Sequence, residues 1–262
     1  MKKDVVFWIG VKSKNLLTSD KHDNFQYFEY SKKTWKYWCS KNDVIFLEYN
    51  SPSLNDHDKH LITWQRWFDI QNYLKDIKWN KVAVVDASYM IKWDTPNFFN
   101  MTSEALNVFR SLENVRWMDQ GIKGYQELFP EVNFDLKRYI DCGFQIFTKN
   151  HIPFLNKLKK FYVNNEDKIL KLQQTIKRGT DQPVYNYLLQ QEDIDFRFEL
   201  PNSFNLNHMT RFNWLSHNWQ LKEDMTPFFI KYGYLWKYSG FDRKQRYPLM
   251  KQTWDLVKDY YE

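Results

Sequence analysis

Four short segments hold the residues best suited to chemistry: VAVVDAS at 82–88, YIDCGF at 139–144, GTDQPVYNYLL at 179–189 and YLWKYSGF at 234–241. In the first, Asp86 follows four apolar residues, Val82 to Val85, which read as a buried strand. Open α/β sheets collect ligands beyond the carboxyl ends of their strands, so an acid delivered there is a better candidate than the other carboxylates. The plainer role of such an acid is to end the strand. In the third segment Thr180, Asp181 and Gln182 precede the apolar positions Val184, Tyr185, Leu188 and Leu189. An acid there suits a ligand hydroxyl, and it equally suits the positive end of a helix.

The elements that must position these residues alternate along the first half of the chain. Asp4 to Gly10 reads as a buried strand, Phe25 to Cys39 as a helix and Asp43 to Tyr49 as a second strand. After the polar loop Ser51 to Asp58, the segment Leu61 to Ile77 places Leu61, Trp64, Phe68, Tyr73 and Leu74 at roughly helical spacing, and the strand Lys81 to Val85 follows. This is the start of an open parallel sheet. The second half is less regular. Tyr139 to Thr148 reads as a strand, Ile152 to Lys177 as one or two basic amphipathic helices, and Asp181 to Gln190 as a helix. Leu235 to Ser239 reads as a short strand, Gly240 to Tyr247 as a basic loop, and Leu249 to Tyr260 as a terminal helix. Parallel strands first and mixed strands later give an α/β domain with an asymmetric second half.

Composition bounds the function further. At 262 residues the chain can bury a core without disulfide staples, and no repeat or linker marks a domain boundary. The two cysteines, Cys39 and Cys142, form no CxxC and have no nearby His pair, which excludes a zinc module or redox dithiol and fits a reducing, cytoplasmic compartment. No apolar run approaches a membrane span, and Val5 to Ile9 is too short for a signal peptide, so neither is expected. The 12 Trp, 17 Tyr and 21 Phe against 7 Gly either form stacking surfaces for sugars or bases, or fill an ordinary core; the second is favoured. A net charge of +6 suits a polyanionic partner without requiring one, since a solvated Lys-rich surface produces the same number.

Taken in order, the four segments resemble the GT-A nucleotide-sugar transferases related to glycogenin and the bacterial galactosyltransferases. In that family a hydrophobic strand ends in Asp-x-Asp, followed by an Asn-x-Gly strand, an Asp-Gln helix start with a downstream Asn, and a late His-x-x-Gly. The resemblance implies one GT-A-like α/β domain over 1–262, with a Rossmann-like, mixed, mostly parallel sheet flanked by helices. Residues 1–100 form its nucleotide-binding half and 101–262 its sugar and acceptor half. It implies that Asp86 lies beside the donor's ribose and diphosphate as the first acid of the metal motif. It also implies that Asp141 and Gly143 stand for the Asn-x-Gly pair, that Asp181 and Gln182 orient donor-sugar hydroxyls near the reacting carbon, and that Asn186 lies one turn on. Asp181, Gln182 and Asp141 are the catalytic candidates. The donor-binding candidates are Val11, Lys12, Arg66, Asp86, Ser88, Gly143, Asn186, Lys237 and Gly240. Trp117, Asp119 and Gln120 fall where an acceptor is expected.

The departures from the pattern bear on the metal. Where the family has its second acid this chain has Ser88, a poorer ligand for Mn²⁺ or Mg²⁺, and where it has a late His this chain has Lys237. The resemblance implies a divalent cation held at Asp86. The substitution implies that Lys237, with Arg243 and Arg246, takes over some or all of the charge compensation for the leaving diphosphate. Two alternatives stay open: His208 or His217 supplies a ligand, or Lys237 faces solvent and Asp86 alone holds a weak metal.

The implied reaction moves a sugar from a nucleotide sugar such as a UDP-sugar to the hydroxyl of a glycan or other acceptor, and the nearest resemblance implies retention at the anomeric carbon. Inversion stays open, with Asp119, Asp141 or Asp181 as the carboxylate base it would need. Lys157, Lys159, Lys160, Lys168, Lys171, Lys177 and Arg178 form either a cationic surface, suited to DNA with modified bases or an anionic glycan, or solvated helix faces. A basic protein that binds nucleotide sugars or nucleic acid without turnover is the alternative that Ser88 and Lys237 keep open.

Overall fold

The computed structural model describes residues 2–12, 25–54, 61–111, 114–207, 226–241 and 243–262, with the backbone alone at 243 and 244. Its first apolar run forms β1 (Lys3–Ile9), which pairs in parallel with both β2 (Ile45–Tyr49) and β3 (Trp79–Asp86). On the other side of β3 lies β6 (Ile140–Phe147), antiparallel to β3 and to β5 (Leu106–Arg110), and β7 (Phe196–Arg197) adds in parallel to β5. The order is therefore β2-β1-β3-β6-β5-β7, with β6 alone running against the rest. A small second sheet joins β4 (Tyr89–Ile91) antiparallel to β8 (Leu235–Lys237). This is the mixed, mostly parallel sheet expected.

Both faces of the large sheet are covered, because successive side chains of a strand point to opposite sides. Val5, Phe7 and Ile9 pack with Trp64 and Trp67 of α2 (Ile62–Leu74), Leu155 of α4 (Ile152–Asn164) and Tyr185 of α6 (Gln182–Gln191). Val6 and Trp8 pack with Trp35 and Trp38 of α1 (Tyr27–Lys41), Trp236 of β8 and Met250 of α8 (Arg243–Val257). Trp8, Trp35, Trp38, Trp64, Trp67 and Trp236 are fully buried, so the aromatic bias fills the core. Burying such a side chain stabilises by about 1.5–3 kcal/mol. The indoles also satisfy their one donor: Trp35 Nε1 donates to the Tyr89 carbonyl at 3.0 Å, Trp38 Nε1 to the Thr95 carbonyl at 2.9 Å. Those bonds tie α1 to the segment that follows Asp86.

Several elements differ from expectation for local reasons. The second strand begins at Ile45, not Asp43, because Asp43 is left-handed with φ 55°. The basic helical stretch is two helices, as the sequence allowed, divided at Asn165 into α4 and α5 (Glu166–Ile176). The basic loop expected at 240–247 is corrected: Gly240, at φ 89°, turns the chain after β8, and α8 already starts at Arg243 and runs through Pro248. α2 buries Trp64, Trp67, Ile70 and Leu74, while Phe68 and Tyr73 are only half-buried. The elements β4, β5, α3 (Val115–Tyr125), β7 and α7 (Phe228–Tyr232) went unread. Among the described residues no helix is long and apolar enough to cross a membrane.

Three of the lysines of α4 and α5 have local partners: Lys157 pairs with Glu192, Lys159 donates to the Phe68 carbonyl at 3.1 Å, and Lys168 lies 3.8 Å from Glu127.

Candidate active site

Because β6 runs against β3, the start of β6 lies at the same sheet edge as the end of β3. That topology brings Asp141 and Gly143 beside Asp86, with Val85 paired to Phe144. The approach is close. A Cβ on Gly143 would sit 3.1 Å from Asp86 Oδ2 and 3.2 Å from Asp141 Oδ1, so only glycine leaves both carboxylates where they are.

Arg66 enters from α2, fully buried between two acids. Its Nη1 lies 2.6 Å from Asp86 Oδ1 and its Nη2 lies 2.7 Å from Asp181 Oδ2. Burial works against the guanidinium's charge, yet Asp181 and Asp86 outweigh it and raise the Arg66 pKa. Asp181 is saturated: its Oδ2 also accepts from Trp67 Nε1 at 2.9 Å and its Oδ1 from Thr180 Oγ1 at 3.1 Å. Asp86 differs, with 32% of its side chain open. Burial pushes its carboxyl up to about 6, with Arg66 pulling down and Asp181 and Asp141 pushing up.

A second buried pair lies alongside. Lys237, in β8 opposite Tyr89 of β4, donates from Nζ to Asp141 Oδ2. Asp141 Oδ1 accepts the Gly143 N–H at 2.8 Å, and Tyr89 OH lies 3.3 Å from Asp141 Oδ2. Three carboxylates, Asp86, Asp141 and Asp181, thus share two cations, Arg66 and Lys237, leaving one net negative charge.

Gln182 and Asn186 hold the strand that carries Asp141. The pairing of β5 with β6 shifts register between Val108 and Phe109, which leaves 142–144 without a partner on β5. Gln182 Oε1 accepts the Cys142 N–H at 3.2 Å and its Nε2 donates to Tyr139 OH at 3.2 Å. Asn186, fully buried, accepts from Ile140 N at 2.7 Å and donates to the carbonyls of Ile140 at 3.1 Å and Gln182 at 2.8 Å. Both amides position β6, and Gln182, half-buried, keeps a second N–H free of these bonds. Cys142 is buried beside them, and burial raises its thiol pKa, which disfavours the thiolate.

A cleft of about 210 Å³ opens in front of Asp86, lined by Ile9, Val11, Arg66, Ala87 and Ser88 on the strand side and by Tyr27, Ser239 and Arg246 across from them. Val11 and Ser88 are buried in its floor. Lys12 is exposed and lines a neighbouring cleft with Trp8, Glu48 and Asn50. Gly240 supplies the turn behind Ser239. Trp117, Asp119 and Gln120 are on α3, away from this cleft: Asp119 pairs with Lys123 and Gln120 accepts from Arg178. His208 and His217 lie outside the described residues, as does the Arg243 side chain.

No protein-family model and no curated protein matches the sequence. Solved structures do resemble it. A glycosyltransferase involved in glycosylation of the major capsid of PBCV-1 aligns with a TM-score of 0.60 at 11% identity, over 95% of this chain and 99% of that one. The fold is that of a GT-A-type glycosyltransferase. The galactosyltransferase LgtC, in complex with donor and acceptor sugar analogs, aligns at 0.48 with 12% identity over 97% and 99% of the two chains, and mouse xyloside xylosyltransferase 1 at 0.48 with 8% over 91% and 98%.

On this GT-A-type scaffold the described residues of the site do not by themselves make up a divalent-cation site. Among the described residues no three His, Cys, Asp or Glu side chains converge as ligands. Asp86 Oδ1 and Asp141 Oδ2 are each occupied by a side-chain cation, and Ser88 and Lys237 fill the other family positions. Thr63, Tyr27 and Ser239 are cleft residues that sequence reasoning missed. The signal for Thr63 was available, since it lies one turn before Arg66 on the same helix face.

Proposed function

We propose that this protein transfers a sugar from a nucleoside diphosphate sugar to an acceptor hydroxyl. The observation that carries the reading is the partly open Asp86 carboxylate, pinned by Arg66 at the carboxyl end of β3 and lining a cleft on a GT-A-type fold. Arg66 fixes Oδ1 of Asp86, which leaves Oδ2 to take a donor hydroxyl. Asp141 and Asp181 are saturated by internal partners, so neither attacks the sugar nor takes a proton. That favours a course in which the acceptor oxygen bonds to the anomeric carbon as its bond to the diphosphate breaks. The acceptor's proton passes to the leaving phosphate oxygen on the same face, giving retention. Charge compensation for the diphosphate comes from side chains, and no step is assigned to a metal.

The test is release of nucleoside diphosphate from a panel of UDP- and GDP-sugars offered with glycan acceptors. One donor is expected to turn over, with Asp86→Asn reducing the rate at least ~100-fold, in the range seen when a transition-state contact is lost. Equal rates for the variant and the natural protein, or no donor consumed, would contradict the reading.

A further inference from the structure

The charge balance of the site points to a second wall as the place where phosphate binds. Arg66 and Lys237 are the cations that family position would assign to the diphosphate, but both are buried and each is already matched by a carboxylate. The five-residue cluster carries one net negative charge, which repels a diphosphate instead of holding it.

Across the cleft the chemistry is opposite. Arg246 is held by neutral groups, its Nε donating to the Tyr238 carbonyl at 3.2 Å, its Nη1 to Tyr27 OH at 3.2 Å, and its guanidinium 5.5 Å from the Tyr27 ring centroid. No carboxylate among the described residues cancels its charge. Beside it, Ser239 Oγ is buried with no hydrogen-bond partner among the described residues, and so are Thr63 Oγ1 and Arg66 Nε in the same cleft. Buried hydroxyl and N–H groups left without partners are costly, about 1–3 kcal/mol each, so a ligand or bound water that reaches them is stabilised. All three can donate, and an oxyanion accepts from every one of them.

We infer that Ser239 and Arg246 form the seat for the donor's diphosphate, with Thr63 donating from the opposite wall. Lys237 is then a positioning residue that neutralises Asp141 and does not touch the donor. This rests on the nucleotide-sugar reading above. The turn at Gly240 and the early start of α8 at Arg243 place Arg246 on the first turn of that helix, where the sequence suggested a loop.

Calorimetric binding of UDP, GDP, uridine and guanosine to the natural protein, Arg246→Met and Ser239→Ala in EDTA tests the seat. The natural protein should bind one nucleoside diphosphate at least ~10-fold more tightly than the matching nucleoside. Arg246→Met should remove most of that difference, and Ser239→Ala about 3-fold of it, with nucleoside binding unchanged in both. If both variants hold the diphosphate as the natural protein does, or lose nucleoside and diphosphate alike, the seat is wrong while the donor reading stands. If the natural protein binds neither diphosphate, the donor reading and the seat fall together.

Discussion

Arg66 joins two acids 95 residues apart in the chain, holding Asp86 at 2.6 Å and Asp181 at 2.7 Å with separate nitrogens of one buried guanidinium. It links α2 to the end of β3 and the start of α6, which makes it the keystone of the candidate site. Removing it leaves two carboxylates without their cation. Arg66→Met should therefore destabilise the protein by roughly 3–5 kcal/mol. Chemical denaturation of Arg66→Met against Arg66→Met/Asp181→Asn checks this, with the double variant expected to regain part of the loss.

Lys237 and Asp141 form the other buried pair. Lys237→Met should cost roughly 3–5 kcal/mol because Asp141 is left charged and unpaired, whereas Lys237→Met/Asp141→Asn should recover most of that stability. If Lys237 acts on the protein's structure and not on the donor, the folded double variant should bind nucleoside diphosphate within about 3-fold of the natural protein, a small change on the scale where tenfold is 1.4 kcal/mol.

The pH dependence follows from Asp86. Its ordinary value of 3.8 is raised to about 6 in the folded protein, chiefly by burial. The folded state binds the proton more tightly, so this group's stabilising contribution is full below pH 3.8 and is lost as pH rises through about 6. Asp86→Asn mimics the neutral form. It should be more stable than the natural protein at pH 7.5 by about 1–2 kcal/mol, after discounting for the open part of the side chain, and equally stable near pH 3.5. Thermal melts across that range decide it, and equal melts throughout would remove the assigned shift.

Gly143→Ala inserts a methyl 3.1–3.2 Å from both Asp86 Oδ2 and Asp141 Oδ1. Asp141 is locked by Lys237 and the Gly143 N–H, so Asp86, with its open side, is the one to move. Displacement by a few tenths of an ångström should lower turnover about 10-fold with a change in Tm of only a few degrees.

The sequence disclosed the Asp86 strand because four consecutive apolar residues buried on both faces leave a clear run, and Val82 to Val85 are all fully buried. It disclosed α6 through Val184, Tyr185, Leu188 and Leu189 at helical spacing. What it hid were contacts set by tertiary pairing. Nothing in the chain reports the bulge that Gln182 and Asn186 stitch. Lys237 read as a cation facing the donor because its partner, Asp141, is 96 residues away. Arg246 was placed in a loop because Pro248 masks the helix that carries it.

The most direct measurement is a crystal structure of the protein with its selected nucleoside diphosphate, grown in EDTA. The account predicts that the nucleoside lies over Val11 and Asp86, and that the diphosphate lies against Ser239 and Arg246 with Lys237 still paired to Asp141. A diphosphate bound elsewhere, or Lys237 released from Asp141 to contact it, would contradict the account.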